Sequence, residues 1–295
     1  MVITRAPLRI SFAGGGSDIE PYCSEYGGCV MSAAIQMYTY ASLSKKHKQS
    51  ELEKVITRYS GLPIGYNLEI KQEAEPMSGL GGSASCFVAG IKLLEPEWER
   101  KTIAEWAFHL ERNVMGVAGG KQDQYMASYG GMNFLKFEHN MVTIYTIVPP
   151  EKLEDLLLLV YLGKRNYAGK DIIKDQMSRD NRENFSIQKR IAYAMRDVLL
   201  SNDLPAFGNL IEMAWQSKVK FSPLIATGEI QDFHDNCLNN GAIAGKLTGA
   251  GGGGYMLLME HPGKVGELRK YLNNQRIDYR DVKFDNEGVK CEKRL

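Results

Sequence analysis

The placement of glycine constrains this chain more than any other feature. It has 30 glycines, and many gather in three clusters: Gly14, Gly15 and Gly16, residues 79–82, and residues 249–254. Gly119 and Gly120 make a fourth, shorter pair. Each cluster lies beside a segment patterned like a strand or a helix, so none of them reads as a low-complexity linker. Glycine serves where a backbone turns sharply or where another group must come close to it. The clusters therefore mark the loops in which a site is expected.

Apolar patterning between the clusters predicts alternating strands and helices. In the first half, residues 8–12, 30–43 and 66–72 read as strands, and residues 51–59 and 83–94 as helices. Phe87, Val88, Ile91 and Leu94 give the second helix an apolar face, and Pro96 stops it. Thr102 and Glu105 have the spacing of a capping box that opens a further helix. Its stripe is Ile103, Trp106, Ala107, Leu110 and Val114, and Gly116 is its expected C-terminal cap. Residues 121–128 form a short helix between glycines. Pro149 and Pro150 mark a boundary, which predicts domains over 1–150 and 151–295. The second half reads as α+β. Its strands are 155–162, 242–247, 255–259 and 277–284, and its helices are 171–200, 204–219, 229–239 and 264–274.

Composition narrows the class of partner. The 295 residues are 44% hydrophobic and 24% charged, ordinary for a globular protein that needs no staples. Lys plus Arg is 36 against 35 for Asp plus Glu. A balance of this kind argues against a nucleic-acid partner but leaves room for a local basic pocket. The five cysteines, Cys23, Cys29, Cys86, Cys237 and Cys291, form no C-x-x-C pair, and the histidines never fall at H-x-x-x-H spacing. Free thiols in a reducing cytoplasm are expected, not disulfides or a zinc site. Arg5 and Arg9 break the first apolar segment, and no apolar run reaches membrane-spanning length, so no membrane partner is expected.

Familiar phosphate motifs do not fit. Gly120-Lys121 is followed by Gln122 and Gly245-Lys246 by Leu247, so neither makes a Walker A loop. Ile19 stands where a dinucleotide fingerprint from Gly14 needs its last glycine. The segment from Pro76 to Ser85 follows a strand and opens a helix. Its backbone N–H groups and the helix dipole suit a phosphate, with Ser83 as a ligand to phosphate or magnesium. A plain turn with Ser83 as helix cap fits the spacing equally well.

Three segments together resemble the GHMP sugar and metabolite kinases. Arg5-Ala6-Pro7-Leu8-Arg9 is similar to their first motif. Pro76 to Ser85 is similar to their second, and Lys246 to Gly254 to their third, in the expected order over nearly the whole chain. Gly119-Gly120-Lys121-Gln122-Asp123-Gln124-Tyr125 resembles a branch of the family that acts on heptose 7-phosphates. The resemblance implies a two-lobed α/β (α+β) architecture. Its N-terminal lobe would be mixed α/β and its C-terminal lobe ferredoxin-like, with ATP and the sugar meeting between them.

The resemblance also implies roles. Asp123 would face the sugar hydroxyl as base or orienting group, with Arg9 beside it stabilising developing charge. Gly79, Leu80, Gly81, Gly82, Ser83, Ala84 and Ser85 would hold ATP. Ser83 and Glu111 would hold Mg2+. Gly14, Gly15, Gly16, Asp18, Lys121, Gly249 and Gly251 would line the sugar side. Galactokinases carry a Glu-His pair where this chain has Gly15-Gly16, which implies space for a longer, phosphorylated sugar. Gly82 replaces a serine common in the second motif, and the 44–76 segment that frames the nucleotide base is short. The implied reaction is ATP-dependent phosphorylation of the anomeric hydroxyl of heptose 7-phosphate to the 1,7-bisphosphate. The alternatives are a galactose- or fucose-type hexose 1-kinase and a non-catalytic sugar- or nucleotide-binding regulator.

Overall fold

The computed structural model describes residues 2–138, 141–165 and 167–293. The first sheet is built around two long strands, β1 (Val2–Ala13) and β2 (Gly28–Ser44). Both are buried along most of their length because helices cover both faces. Pro7 has no ladder N–H and sits where the β1–β2 register slips. A short helix, α1 (Tyr22–Tyr26), lies between the two strands in sequence.

The far edge of β2 carries two neighbours. Its beginning pairs with β4 (Met132–Glu138) and its end with β3 (Asn67–Gln72), and β5 (Met141–Ile147) extends the sheet beyond β4. One face is covered by α2 (Glu51–Ser60), α3 (Gly82–Leu94), α4 (Arg100–His109) and α5 (Gln122–Tyr129). Ala6, Ile56, Phe87, Ile91, Ile103 and Leu110 pack there.

The second sheet contains β6 (Leu157–Tyr161), β7 (Ala242–Leu247), β8 (Tyr255–Glu260) and β9 (Tyr279–Asp281). Its antiparallel order, β7-β8-β6-β9, is that of a ferredoxin-like lobe. Helices α6 (Gly169–Met177), α7 (Arg182–Leu200), α8 (Leu204–Lys218) and α9 (Gly228–Asn239) intervene between β6 and β7. Helix α10 (Glu267–Asn274) precedes β9. Leu8, Ile10 and Phe12 of β1 share one core with Ile191 of α7, Phe207 of α8 and Leu257 of β8. The lobes are thus joined through a common apolar layer. The last strand, β10 (Lys290–Lys293), falls after the predicted boundary at 150 but pairs with β1 in the first sheet.

Three local differences from the sequence patterning have physical causes. The T-x-x-E pair does not cap α4. The helix is already closed by Ile103 N–H on the Glu99 carbonyl, so Thr102 lies inside it. After α4 the chain widens into a π-helical turn, Leu110–Val114, with Met115 N–H on the Leu110 carbonyl. That extra residue per turn carries Val114 out to 36% exposure and turns Glu111 in to 2%. The helix predicted over 171–200 is two helices, α6 and α7, separated where the Asn181 side-chain amide donates to the carbonyls of Gln176 and Phe221. Gly116 ends the π turn in the left-handed conformation expected of a C-terminal cap.

Candidate active site between the lobes

Arg9 points from the middle of β1 toward the start of α5. Its Nε and Nη2 each donate to one carboxylate oxygen of Asp123 at 2.8 Å. Its Nη1 donates to the Gly79 carbonyl at 2.6 Å, and its backbone N–H donates to the Leu80 carbonyl. One arginine therefore fixes both a carboxylate and the glycine loop. The Arg9 side chain is 5% exposed and that of Asp123 19%, so the carboxylate is the more accessible partner. Asp123 is the second residue of α5, where the helix dipole favours a negative charge.

Two compartments meet at this pair. One, of about 300 Å³, is lined by Gly79, Gly81, Gly82, Ser83, Glu111 and Arg165, among others. The other, of about 90 Å³, takes in Ser11, Gly15, Gly16, Gln122, Gln176 and Lys218. Arg9, Arg112, Asp123 and Gly249 border both.

The glycine loop divides its residues between cleft and core. Gly81 is in the left-handed conformation and precedes α3, whose first N–H groups have no acceptor within the helix. Ser83 is exposed beside them. Leu80 and Ala84 are buried instead, and the Ser85 hydroxyl donates to the Ala6 carbonyl at 2.9 Å. Ser85 therefore holds the helix to β1 and has its back to the cleft. A side chain at Gly82 would overlap the amide of Gln72, which also lines this compartment. Gln72 thus fills the space that a side chain at position 82 would need.

The third glycine segment closes over the same loop. A Cβ on Gly249 would stand 2.7 Å from the Gly79 carbonyl, so the two backbones meet directly. Tyr255 N–H on the Ser78 carbonyl, and Lys246 Nζ on the Ser11 carbonyl, fasten the lobes on either side. Gly251 lines neither compartment, and its Cβ position abuts Ile225 at 2.8 Å.

The sugar-side residues also separate. Gly15 and Gly16 line the smaller compartment. At Gly15 a Cβ would find only the Gln122 amide, at 3.9 Å, so that position is open. Gly16 packs under Phe185, and Gly14 packs against the Cys29 carbonyl. Asp18 is 4% exposed and accepts from Gly16 N–H and from Gln122 Nε2, at 3.2 and 3.1 Å. Burial, and then the charge on Asp123, push its carboxyl up from the usual range. It stands behind Gln122 and reaches the compartment only through that amide. Gly120 has no room for a side chain because Asp18 occupies the space.

Lys121 does not face Asp123. Its Nζ binds Glu105 at 2.9 Å, over the Phe108 ring, and the Tyr125 hydroxyl binds the same carboxylate. As the residue that precedes α5, it points away from the Asp123 side of the helix.

Four residues that the sequence patterning passed over complete the site. Gln122 carries a buried Oε1 with no hydrogen-bond partner among the described residues. Its place in the G-G-K-Q-D-Q-Y segment was the available signal. Arg112 binds the carbonyls of Val117, Ala118 and Gly120 and so shapes the glycine pair before α5. Arg165 and Lys218 come from the second lobe, and nothing in their local sequence marks them. Burial, and then repulsion from Arg9, lower the Arg165 guanidinium to about 10.

Glu111 accepts from Gln124 Nε2 at 2.6 Å and shares the larger compartment with the Ser83 hydroxyl. An exposed hydroxyl and a carboxylate are the oxygen donors that Mg2+ takes, its other positions being filled by water and phosphate. Among the described residues no trio of His, Cys, Asp or Glu could enclose a metal by itself. No helix among them is long and apolar enough to cross a membrane, and the five cysteines are free.

A carboxylate clamped by arginine, between a glycine cradle and a polar pocket, has the build of a small-molecule kinase. Phosphoryl transfer needs positioning and charge neutralisation more than covalent help. The comparisons name the class: the chain belongs to the GHMP kinase family. Residues 45–131 match the GHMP kinases N terminal domain and residues 195–278 the GHMP kinases C terminal domain. The D-glycero-alpha-D-manno-heptose 7-phosphate kinase of Campylobacter jejuni is 28% identical over 97% of each chain. The bifunctional fucokinase/GDP-fucose pyrophosphorylase of Arabidopsis thaliana is 24% identical over 96% of this chain but only 32% of its own length. A D-glycero-D-manno-heptose 1-phosphate kinase from Bacteroides thetaiotaomicron has the same fold, with a TM-score of 0.79 at 24% identity over 100% of both chains.

Proposed function

We propose that this protein transfers the terminal phosphoryl group of ATP to the anomeric hydroxyl of a heptose 7-phosphate, giving the 1,7-bisphosphate. The observation that carries the reading is the position of the Arg9–Asp123 pair where the two compartments meet. The nucleotide phosphates lie along Gly79, Gly81, Gly82 and Ser83, over the first N–H groups of α3. The acceptor sugar lies by Gly15, Gly16 and Gln122. Its hydroxyl reaches Asp123, which takes the proton or orients it. Arg9 holds the carboxylate in place and offsets negative charge during transfer. Ser83 and Glu111 would hold Mg2+, which would neutralise phosphate charge there.

Two features support a long acceptor. Gly15 presents no side chain to the pocket. The pocket also opens past Ile19, Arg112, Gly119 and Ile173 into a groove of about 660 Å³. That groove carries the exposed lysines Lys170 and Lys174 beside Glu20 and Asp171. The full-length similarity to the Campylobacter jejuni enzyme agrees with this acceptor. The partners are then ATP and a small sugar phosphate, in a cytoplasm that keeps the cysteines reduced.

Coupled ADP release with ATP and Mg2+ tests the reading, using heptose 7-phosphate, galactose and fucose, with wild type and Asp123→Asn. Turnover with the heptose phosphate, lost in the variant, is expected. Turnover with a hexose alone would keep the kinase and overturn the acceptor. Sugar or nucleotide binding without ADP release would favour a regulator on the same fold.

A further inference from the structure

Lys218 is the last residue of α8, and its environment is unusual for a lysine. It is 7% exposed, yet it lines the smaller compartment with Asp123 and Gln122. Among the described residues it has no ion-pair partner, and its Nζ donates to the Gly249 carbonyl. An ammonium group has three N–H donors, so one interaction leaves two to be satisfied. Burying an ammonium without a carboxylate is costly, and leaving its donors unmet adds to that cost.

The charges around Lys218 do not relieve it. Burial, and then Arg165 and Arg9, lower its ammonium to about 7, against the weaker pull of Asp18 and Asp123. Lys246, also buried, spends its Nζ on the Ser11 carbonyl and lines neither compartment, and burial holds its ammonium well below the ordinary range. Lys246 is a tie between the lobes. Lys218 is a buried amine that lines a space a ligand would fill.

We propose that Lys218 contacts the acceptor sugar directly, its two free donors binding oxygen atoms of the sugar phosphate, and that it helps select an oxygen-rich, anionic acceptor. The inference rests on the acceptor compartment assigned above, and its selectivity part on the acceptor being a sugar phosphate. An anion or a ring of hydroxyls supplies the acceptors the protein withholds, and an anion also favours the charged form of the lysine. Gly249 adjoins both compartments, so its contact with Lys218 would also order the third glycine segment once the sugar is bound.

The test is Lys218→Met, which keeps the length and removes charge and donors, with Lys218→Gln as a second variant that retains a donor. KM is measured for both substrates, and sugar binding to the nucleotide-free protein by calorimetry. Loss of charged hydrogen bonds predicts a roughly 10- to 100-fold rise in sugar KM and Kd for Lys218→Met. The rise should be smaller for Lys218→Gln, with ATP KM within about twofold. A folded variant with unchanged sugar KM overturns the inference. So does an equal rise in both KM values, which would make Lys218 a support for Gly249. If Lys218→Met does not fold, Lys218→Gln decides by the same criteria. A wild type that turns over a neutral hexose instead overturns the selection of an anionic acceptor, and the same variants then test contact with that sugar alone. A wild type that binds no sugar overturns the proposed function together with this inference.

Discussion

Arg9 grips Asp123 with two parallel bonds of 2.8 Å and spends its remaining nitrogen on the Gly79 carbonyl at 2.6 Å. The carboxylate and the glycine loop therefore cannot move independently. Asp123→Asn keeps the shape but loses the charge and the proton acceptor. A fall in kcat of roughly 10²- to 10⁴-fold is expected, larger than any rise in ATP KM, because Arg9 keeps its own bond to the Gly79 carbonyl. Arg9→Lys cannot reproduce the two-pronged grip and should raise ATP KM as well as lower kcat. Steady-state kinetics of the two variants separates these patterns.

Two glycines in the site should respond differently to substitution. A methyl group at Gly120 overlaps Asp18, which is buried and held by Gly16 N–H and Gln122. Gly120→Ala should cost about 1–3 kcal/mol and raise sugar KM. At Gly82 the obstacle is the end of the Gln72 side chain, which is free to swing away. Gly82→Ser should therefore lower stability by less than about 1 kcal/mol. Thermal melts, with Gln72→Ala/Gly82→Ser as the relieved pair, check the contrast.

Glu111 is buried by the π turn and steadied by Gln124. If it supports Mg2+, Glu111→Gln should raise the Mg2+ concentration needed for half-maximal turnover by about tenfold. Excess Mg2+ should restore much of the rate. A shifted Mg2+ titration at saturating ATP is the measurement. An unshifted curve would leave Glu111 as a packing residue for α5.

His234 is buried in the second lobe, with Nε2 bonded to Glu212 at 2.9 Å and Nδ1 to Asp235 at 3.0 Å. Burial lowers its pKa, but the two carboxylates prevail and raise it above the ordinary 6.5. A histidine raised in the folded state stabilises fully below its unfolded pKa and loses that contribution as pH rises through the folded value. The Tm of wild type should therefore fall as pH rises from about 6.5. His234→Gln should flatten that part of the curve. Melts between pH 5 and about 9 show whether it does.

Much of this fold was legible in the sequence because its signals are local. Apolar periodicity marked β2, β3, α3, β7 and β8 to within a few residues, since each buries one face or both. The glycine clusters marked the loops, and the four motif segments marked Arg9, Asp123 and Ser83. Local signals failed where a register changed without a sequence marker. The π turn at Leu110 exchanged Val114 for Glu111 at the buried face. Strands β4, β5 and β10 went unread, and β10 depends on a partner near the other end of the chain.

The sequence by itself determined the two lobes, the glycine cradle and the Arg9–Asp123 pair between them, because backbone turns and motif spacing are properties of neighbouring residues. Only the tertiary structure decided which of those side chains face the cleft. It turned Lys121 toward Glu105, Ser85 toward Ala6 and Gly251 toward Ile225. It brought Arg165 and Lys218 across from the second lobe to border the compartments. The direction of a side chain, and the charge of a buried one, depend on groups distant in sequence that packing brings within a few ångströms.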